Sequence, residues 1–258
     1  MDKHIITLIV RELSIPLLTK KIFFLFSPFL LFYSACRNKT TGSALPVSSV
    51  GYENPAYTYL PDKKFVFETR RIKDGRLLWK DTITLQVFAE KLSNAPSQDK
   101  ITWAYSDRVS VVTGMIQNDT MVWMHPPREG RYKLTELIPF PSIKLPIQTG
   151  KQWDYQLDAG EHYSDSNSLV WKEDLHFDQT YEIEGTKAFS SKFGLIDCSV
   201  VKATGVCKYG KTQLYSLYNN RYGFVYLEGI LLNGSSIEIE LLDVLDTKWS
   251  QNASAPSL

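Results

Sequence analysis

Between residues 65 and 245 the chain breaks into short strand-like runs with turn signals between them, and this punctuation constrains the fold most. Runs of that length, spaced by Gly, Asn and Asp clusters, build antiparallel sheet rather than helices interleaved with strands. Phe65-Val66-Phe67-Glu68-Thr69 reads as a strand, Lys73-Asp74-Gly75-Arg76 as a hairpin turn, and 77–88 as the return. In the return, Ile83, Leu85 and Val87 alternate with Thr82, Thr84 and Gln86, so one face is buried and one wet. Further strands are expected at 101–113, 120–124, 152–157, 169–177, 180–184, 195–203, 213–218, 223–231 and 235–245, with a turn at Gln117-Asn118-Asp119. No run of ten residues carries a clean helical period, although 187–193 has room for one turn. The expected fold is all-β and mainly antiparallel, a curved sheet as a half-barrel or a sandwich, in one domain over 57–248.

The stretch 125–146 departs from this pattern. Pro126, Pro127, Pro139, Pro141 and Pro146 have no N–H to give to a ladder. A crossing or edge segment is expected there, a seam between two halves of the domain.

The last hairpin permits a sharper expectation. Asn233-Gly234 is a strong turn signal. A two-residue loop would set Leu227 against Glu240 and mix apolar with acidic residues on both faces. A shift by one sets Leu227 against Leu241 and Leu231 against Ile237, with one clean apolar face. Because a one-residue slip moves every side chain to the other face, the clean register is expected, closed by a three-residue loop or a bulge.

Aromatic residues make up 13% of the chain, with six Trp and fourteen Tyr. They suit pleated, half-buried surfaces. Trp79, Trp103, Trp123, Trp153 and Trp171 are the candidates for a ligand groove on a curved sheet; sheet-face packing is the plainer reading of each. The net charge of +1 provides no electrostatic footprint for nucleic acid.

The N-terminal region carries an address. Lys20-Lys21 precede the apolar stretch 22–33, which leads into Leu31-Phe32-Tyr33-Ser34-Ala35-Cys36. The uncharged stretch from Lys21 to Arg37 is 15 residues, whereas a spanning helix needs about 20. A basic flank, a short apolar core and small residues before a cysteine resemble a bacterial lipoprotein signal. The resemblance implies cleavage before Cys36 and lipidation of its thiol, which would tie the protein to a membrane. The expected organisation is a signal peptide at 1–35, lipidated Cys36 with a Ser/Thr/Gly/Pro-rich tether to 56, the domain, and a tail at 249–258. Arg37 after the cysteine, by resemblance to lipoprotein sorting, implies the outer membrane, on its periplasmic face. An oxidising periplasm permits a disulfide between Cys198 and Cys207; the alternative is two free thiols.

From residue 146 the chain resembles β-rich bacterial periplasmic and lipoprotein families of uncharacterised function. Leu145-Pro146-Ile147-Gln148-Thr149-Gly150-Lys151-Gln152-Trp153 is similar to their P-L-x-x-G-x-x-W motif. Gly194-Leu195-Ile196-Asp197-Cys198 and the strand 218–225 follow in the same order. Over 146–245 the resemblance implies a curved half-barrel-like sheet with no assigned chemistry.

Local signatures of catalysis are absent from the sequence. His125, His162 and His176 show no metal-ligand spacing, Asp158, Glu161, Asp165, Glu173 and Asp174 no calcium-loop pattern, and no Ser sits in a nucleophile elbow. No metal and no cofactor is expected. The first expectation is a non-enzymatic binding protein for an apolar or amphipathic ligand or a lipidated partner, marked by an apolar cavity with a wet mouth. The second is an assembly subunit of an outer-membrane complex, marked by an exposed aromatic patch. A hydrolase would need one of the three histidines to converge with a Ser or a carboxylate.

Overall fold

The computed structural model describes residues 58–106, 110–164 and 169–247. The signal peptide 1–35, Cys36 with the tether 36–56, and the tail 249–258 lie outside the described residues.

Twelve strands form one antiparallel sheet among the described residues. They are β1 (Lys63–Lys73), β2 (Arg76–Leu92), β3 (Ala95–Ala104), β4 (Val111–Asn118), β5 (Met121–Met124), β6 (Ser142–Lys144), β7 (Gln152–Ala159), β8 (Leu175–Ser191), β9 (Gly194–Cys207), β10 (Gly210–Asn219), β11 (Gly223–Ile230) and β12 (Ser236–Asp246). The spatial order is 6-5-4-3-2-1-12-11-10-9-8-7. The chain thus meanders outward from β1 to β6, jumps to the far edge, and meanders back until β12 pairs with β1.

That jump dictates the shape. Laid flat, twelve strands would put β6 and β7 about 53 Å apart at about 4.8 Å per strand. The link 145–151 between them can reach only about 28 Å. The sheet therefore has to curl into a half-barrel that brings its edges together. Trp123 on β5 and Tyr155 on β7 indeed face each other with ring centroids 6.3 Å apart.

Alternation places the core. Phe65 and Phe67 on β1, Ile83, Leu85 and Val87 on β2, and Ile101 and Trp103 on β3 point inward at 3% exposure or less. Asp74 and Gly75, both at positive φ, make the two-residue turn closed by Lys73 and Arg76. Such a turn needs two left-handed residues, and Asp-Gly supplies them.

The last hairpin keeps its apolar face clean, with Leu227 opposite Ile239 and Gly229 opposite Ile237. Leu231 N–H donates to Ser235 O, so the loop has the three residues 232–234. The partner of Leu227 is Ile239 rather than the expected Leu241. The Asn233 side chain decides this by accepting from both Ser235 N and Ser235 Oγ, which fixes the loop on Ser235.

Two expected runs have other bounds: 101–113 is divided between β3 and β4, and 169–177 joins 180–184 in the 17-residue β8. The run 101–113 breaks after Ala104, where Tyr105 turns inward against Tyr132 and Ser106 Oγ bonds Asp81 Oδ1. The run 169–177 starts only at Leu175, because Trp171 is drawn into the core and its Nε1 donates to Ala159 O at 3.1 Å.

Of the two alternatives for Cys198 and Cys207, the structure has the second, and the possible disulfide is set aside. Both thiols are free and both lie on β9. Nine residues along an extended strand separate them by about 30 Å, against the 7 Å limit for a disulfide.

Candidate functional site

A concave sheet of apolar side chains has to be covered, and this chain covers it with its own proline-rich segment. After β5, residues 126–141 leave the sheet and include a 3₁₀ helix at Gly130–Leu137. Residues 134–143 are buried without interruption. A buried irregular backbone must have its polar groups paired. Pro139 and Pro141 lower that demand by carrying no N–H. Phe140 O accepts from Tyr181 Oη at 3.2 Å and Pro141 O from Met124 N at 3.1 Å. Thr135 Oγ1 is bonded to Pro127 O and lies 2.8 Å from Tyr132 O.

The segment runs across the concave face from one side to the other. Tyr132 seats its start: its hydroxyl shares a 2.6 Å bond with Thr69 on β1 and donates to Asp81 Oδ2 on β2 at 3.1 Å. Burial pushes the Tyr132 phenol well above its ordinary range, so it stays a neutral donor. Ile138 lies over β11, where a methyl group placed on Gly229 would come within 2.5 Å of Ile138 Cδ1. Glycine there lets the segment approach the sheet backbone. Phe140 reaches β8 and packs against Trp123 at 5.7 Å.

Four of the five candidate tryptophans meet this plug or its seat. Trp79 meets Tyr132 edge-on at 5.3 Å, and Trp103 Nε1 donates to His125 O at 3.0 Å. Trp123 packs on His125 and Phe140, and Trp153 stacks on Tyr181 at 5.1 Å. Trp171 caps the end of β7 instead. Trp79, Trp103, Trp123 and Trp153 thus lie beside residues of the protein's own chain.

Where the plug meets the seam between β5 and β7 lies a charged cluster that sequence inspection missed. Arg128 Nη1 is 3.3 Å from His125 Nδ1 and donates to Glu136 Oε1 at 3.2 Å. With Arg128 as the donor, His125 Nδ1 is an acceptor and the imidazole is neutral. Burial, with help from Arg128, pushes the His125 pKa down to about 3. Burial pushes Glu136 up to about 7, because Arg128 only partly offsets the desolvation of the carboxylate. Glu136 is one glutamate in a polar stretch, Gly130-Arg131-Tyr132-Lys133-Leu134-Thr135-Glu136, and no local signal marks it as buried. Trp123 Nε1, Glu136 Oε2 and Gln179 Nε2, all near the plug, are buried without a hydrogen-bond partner among the described residues.

The three histidines do not converge. His125 sits in this cluster and His162 packs on the Tyr163 ring. His176, exposed on β8, pairs with Asp158 Oδ1 at 2.7 Å, and that hydrogen bond raises its pKa. No group of three or more potential metal ligands occurs among the described residues. Two open depressions, of about 350 and 530 Å³, lie on the β7–β9 side. Leu175, His176, Asp178, Val206 and Lys208 are in the lining of the first, and Asp154, Tyr155, Gln156 and Gln179 in that of the second. Both are open to the surface and mix polar with apolar side chains, so neither is the enclosed apolar cavity that the ligand-binding expectation called for.

No protein-family model and no curated protein matches the chain. Similar solved structures include the hypothetical lipoprotein YmcC from Escherichia coli, at 13% identity and TM-score 0.39, covering 73% of this chain and 89% of that one. An exported protein of YmcC-like fold from Bacteroides fragilis matches at 12% identity and TM-score 0.39, over 72% and 96%. A LolA superfamily protein from Nitrosomonas europaea matches at 11% identity and TM-score 0.22, over 74% and 90%. All three scores lie below 0.5, so nothing of those proteins' chemistry is carried to this chain.

Proposed function

We propose that this protein is a non-enzymatic, lipid-anchored subunit of an envelope assembly, held by Cys36 at the periplasmic face of the outer membrane and working through its outer surface. One observation carries this reading: the concave face that would hold an apolar ligand is filled by residues 126–141, with Leu134, Leu137, Ile138 and Phe140 each at 5% exposure or less. A domain whose interior is complete presents only its exterior to partners. That exterior carries a half-buried aromatic group in which Tyr226 on β11 lies 5.8 Å from Phe189 on β8 and 6.4 Å from Tyr215 on β10.

A second reading is favoured by the unpaired polar atoms beside the plug. Each buried, unsatisfied group costs about 1–3 kcal/mol, which weakens the hold of the plug on its seat. In that reading residues 126–141 exchange with an apolar or amphipathic ligand, and the tryptophans line the vacated groove.

An engineered clasp separates the two. Ile138→Cys with Gly229→Cys, in a Cys198→Ala, Cys207→Ala background, would tie the plug to β11. The assembly reading expects no uptake of a fluorescent long-chain acyl probe in either redox state. Uptake by the reduced protein that disappears on oxidation would establish the exchange reading in its place.

A further inference from the structure

We infer that the end of the half-barrel carrying the β8–β9 and β10–β11 turns lies against the lipid bilayer, its aromatic and cationic side chains seated among the headgroups. The inference rests on the proposed anchor at Cys36. It adds the orientation of the domain and the surface that meets the lipid.

The point of arrival of the chain selects this end. Twenty-two positions separate Cys36 from Thr58 (58 − 36), and Thr58 is fixed in the fold. Its Oγ1 donates to Asn220 O, in the β10–β11 turn, at 2.6 Å. Tyr59 follows: its hydroxyl accepts from Phe224 N at 2.8 Å, and its backbone exchanges two hydrogen bonds with the Gln117 side chain. Whatever path residues 37–57 take, a chain anchored at Cys36 joins the domain at this end.

The surface beside that point has the composition a bilayer interface accommodates. Phe193, in the β8–β9 turn, stacks on Tyr222, in the β10–β11 turn, with centroids 4.2 Å apart and planes 13° apart. Arg221 lies over the Tyr222 ring at 5.3 Å. Asn219 Nδ2 donates to Asp197 O at 2.9 Å and fastens the two turns together. Leu195, next to the β8–β9 turn, is 76% exposed, the highest of the large hydrophobic residues among the described residues. The Phe193 ring, the Tyr222 ring with its hydroxyl, Arg221 and the exposed turn residue Lys192 with their long apolar stems, and the aliphatic tip of Leu195 fit the headgroup boundary, and the two cations favour anionic lipid. Exposure alone does not choose the end, since Leu77 and Leu78 in the opposite hairpin are 58% and 56% exposed. Antiparallel pairing puts those two residues at the far end of the barrel from Thr58, so they serve as the internal control.

Hydroxyl-radical footprinting of the lipidated mature protein in phosphatidylcholine–phosphatidylglycerol vesicles tests this, with Cys36→Ala in solution as reference. Oxidation of Phe193, Leu195 and Tyr222 is expected to fall several-fold on vesicles while Leu77 and Leu78 stay unchanged. Failure of the protein to float with the vesicles would remove the anchor reading, and the inference with it. Flotation with no protection at the three residues, or with equal protection at both ends, would overturn the orientation and leave the anchor standing. Protection of the three residues in concentrated Cys36→Ala protein without vesicles would assign the patch to protein contact and overturn the lipid assignment.

Discussion

Glu136, His125 and the two cysteines show how much chemistry hangs on single positions. The Glu136 carboxyl titrates at about 7 in the fold and 4.5 outside it, so the fold favours its neutral form. Its contribution is complete below pH 4.5 and is lost as pH rises to about 7. The full loss is about 3 kcal/mol. Glu136→Gln should therefore gain on the wild type progressively between pH 4.5 and 7, by about that amount, with no further change above. Urea unfolding of both proteins across this range checks the sign; a pH-independent difference would refute it. His125 works in the opposite sense: its folded pKa is depressed, so its contribution is complete above pH 6.5 and is lost as pH falls toward 3. The thiols provide a second check. Cys198 is 1% exposed, with its pKa pushed up to about 11 by burial, while Cys207 is half-buried. A maleimide should label Cys207 in the native state and Cys198 only on unfolding, and reductant should leave the melting temperature unchanged. The sequence could not separate free from bonded cysteines here, because the decision depended on one strand running unbroken through both.

At the scale of elements, hairpins were legible and the plug was not. Asp74-Gly75 and Asn233-Gly234 are local instructions, read without knowing the rest of the chain. The parity of the last hairpin followed from its apolar pattern, but its register depended on the Asn233 side chain, which the pattern does not encode. The prolines in 126–141 excluded an interior strand and left open where the segment goes. Its burial comes from contacts with β1, β2, β8 and β11, which no periodicity reveals. Phe140→Ala should cost about 3–5 kcal/mol and Ile138→Ala about 2–5, as for core truncations. Leu77→Ala, at an exposed hairpin, should stay within about 0.5 kcal/mol. Similar small losses for all three in chemical denaturation would mean that the plug is not part of the folded core. Tyr132→Phe removes the donor to Asp81 and should cost about 1–3 kcal/mol.

The whole molecule is governed by a conflict between a long sheet and a short link. An antiparallel arrangement and curvature were expected from punctuation and from the resemblance over 146–245, and the single curled sheet agrees; the eleven expected runs became twelve strands, because 101–113 is divided between β3 and β4, 169–177 and 180–184 fuse in β8, and β6 is added at the edge. Pairing of β1 with β12 came from neither, because it joins residues some 180 positions apart and no local pattern specifies it. That pairing leaves β6 and β7 as the two edges and makes the seven residues 145–151 pull them together. The plug then completes the interior, and the account rests on that completeness. Native mass spectrometry of the detergent-extracted mature protein, beside a Cys36→Ala control, tests it most directly. The predicted result is a chain beginning at Cys36 that carries covalent acyl mass, absent from the control, and nothing else. A retained non-covalent amphipathic molecule, surviving removal of detergent, would contradict a filled interior and make this protein a carrier.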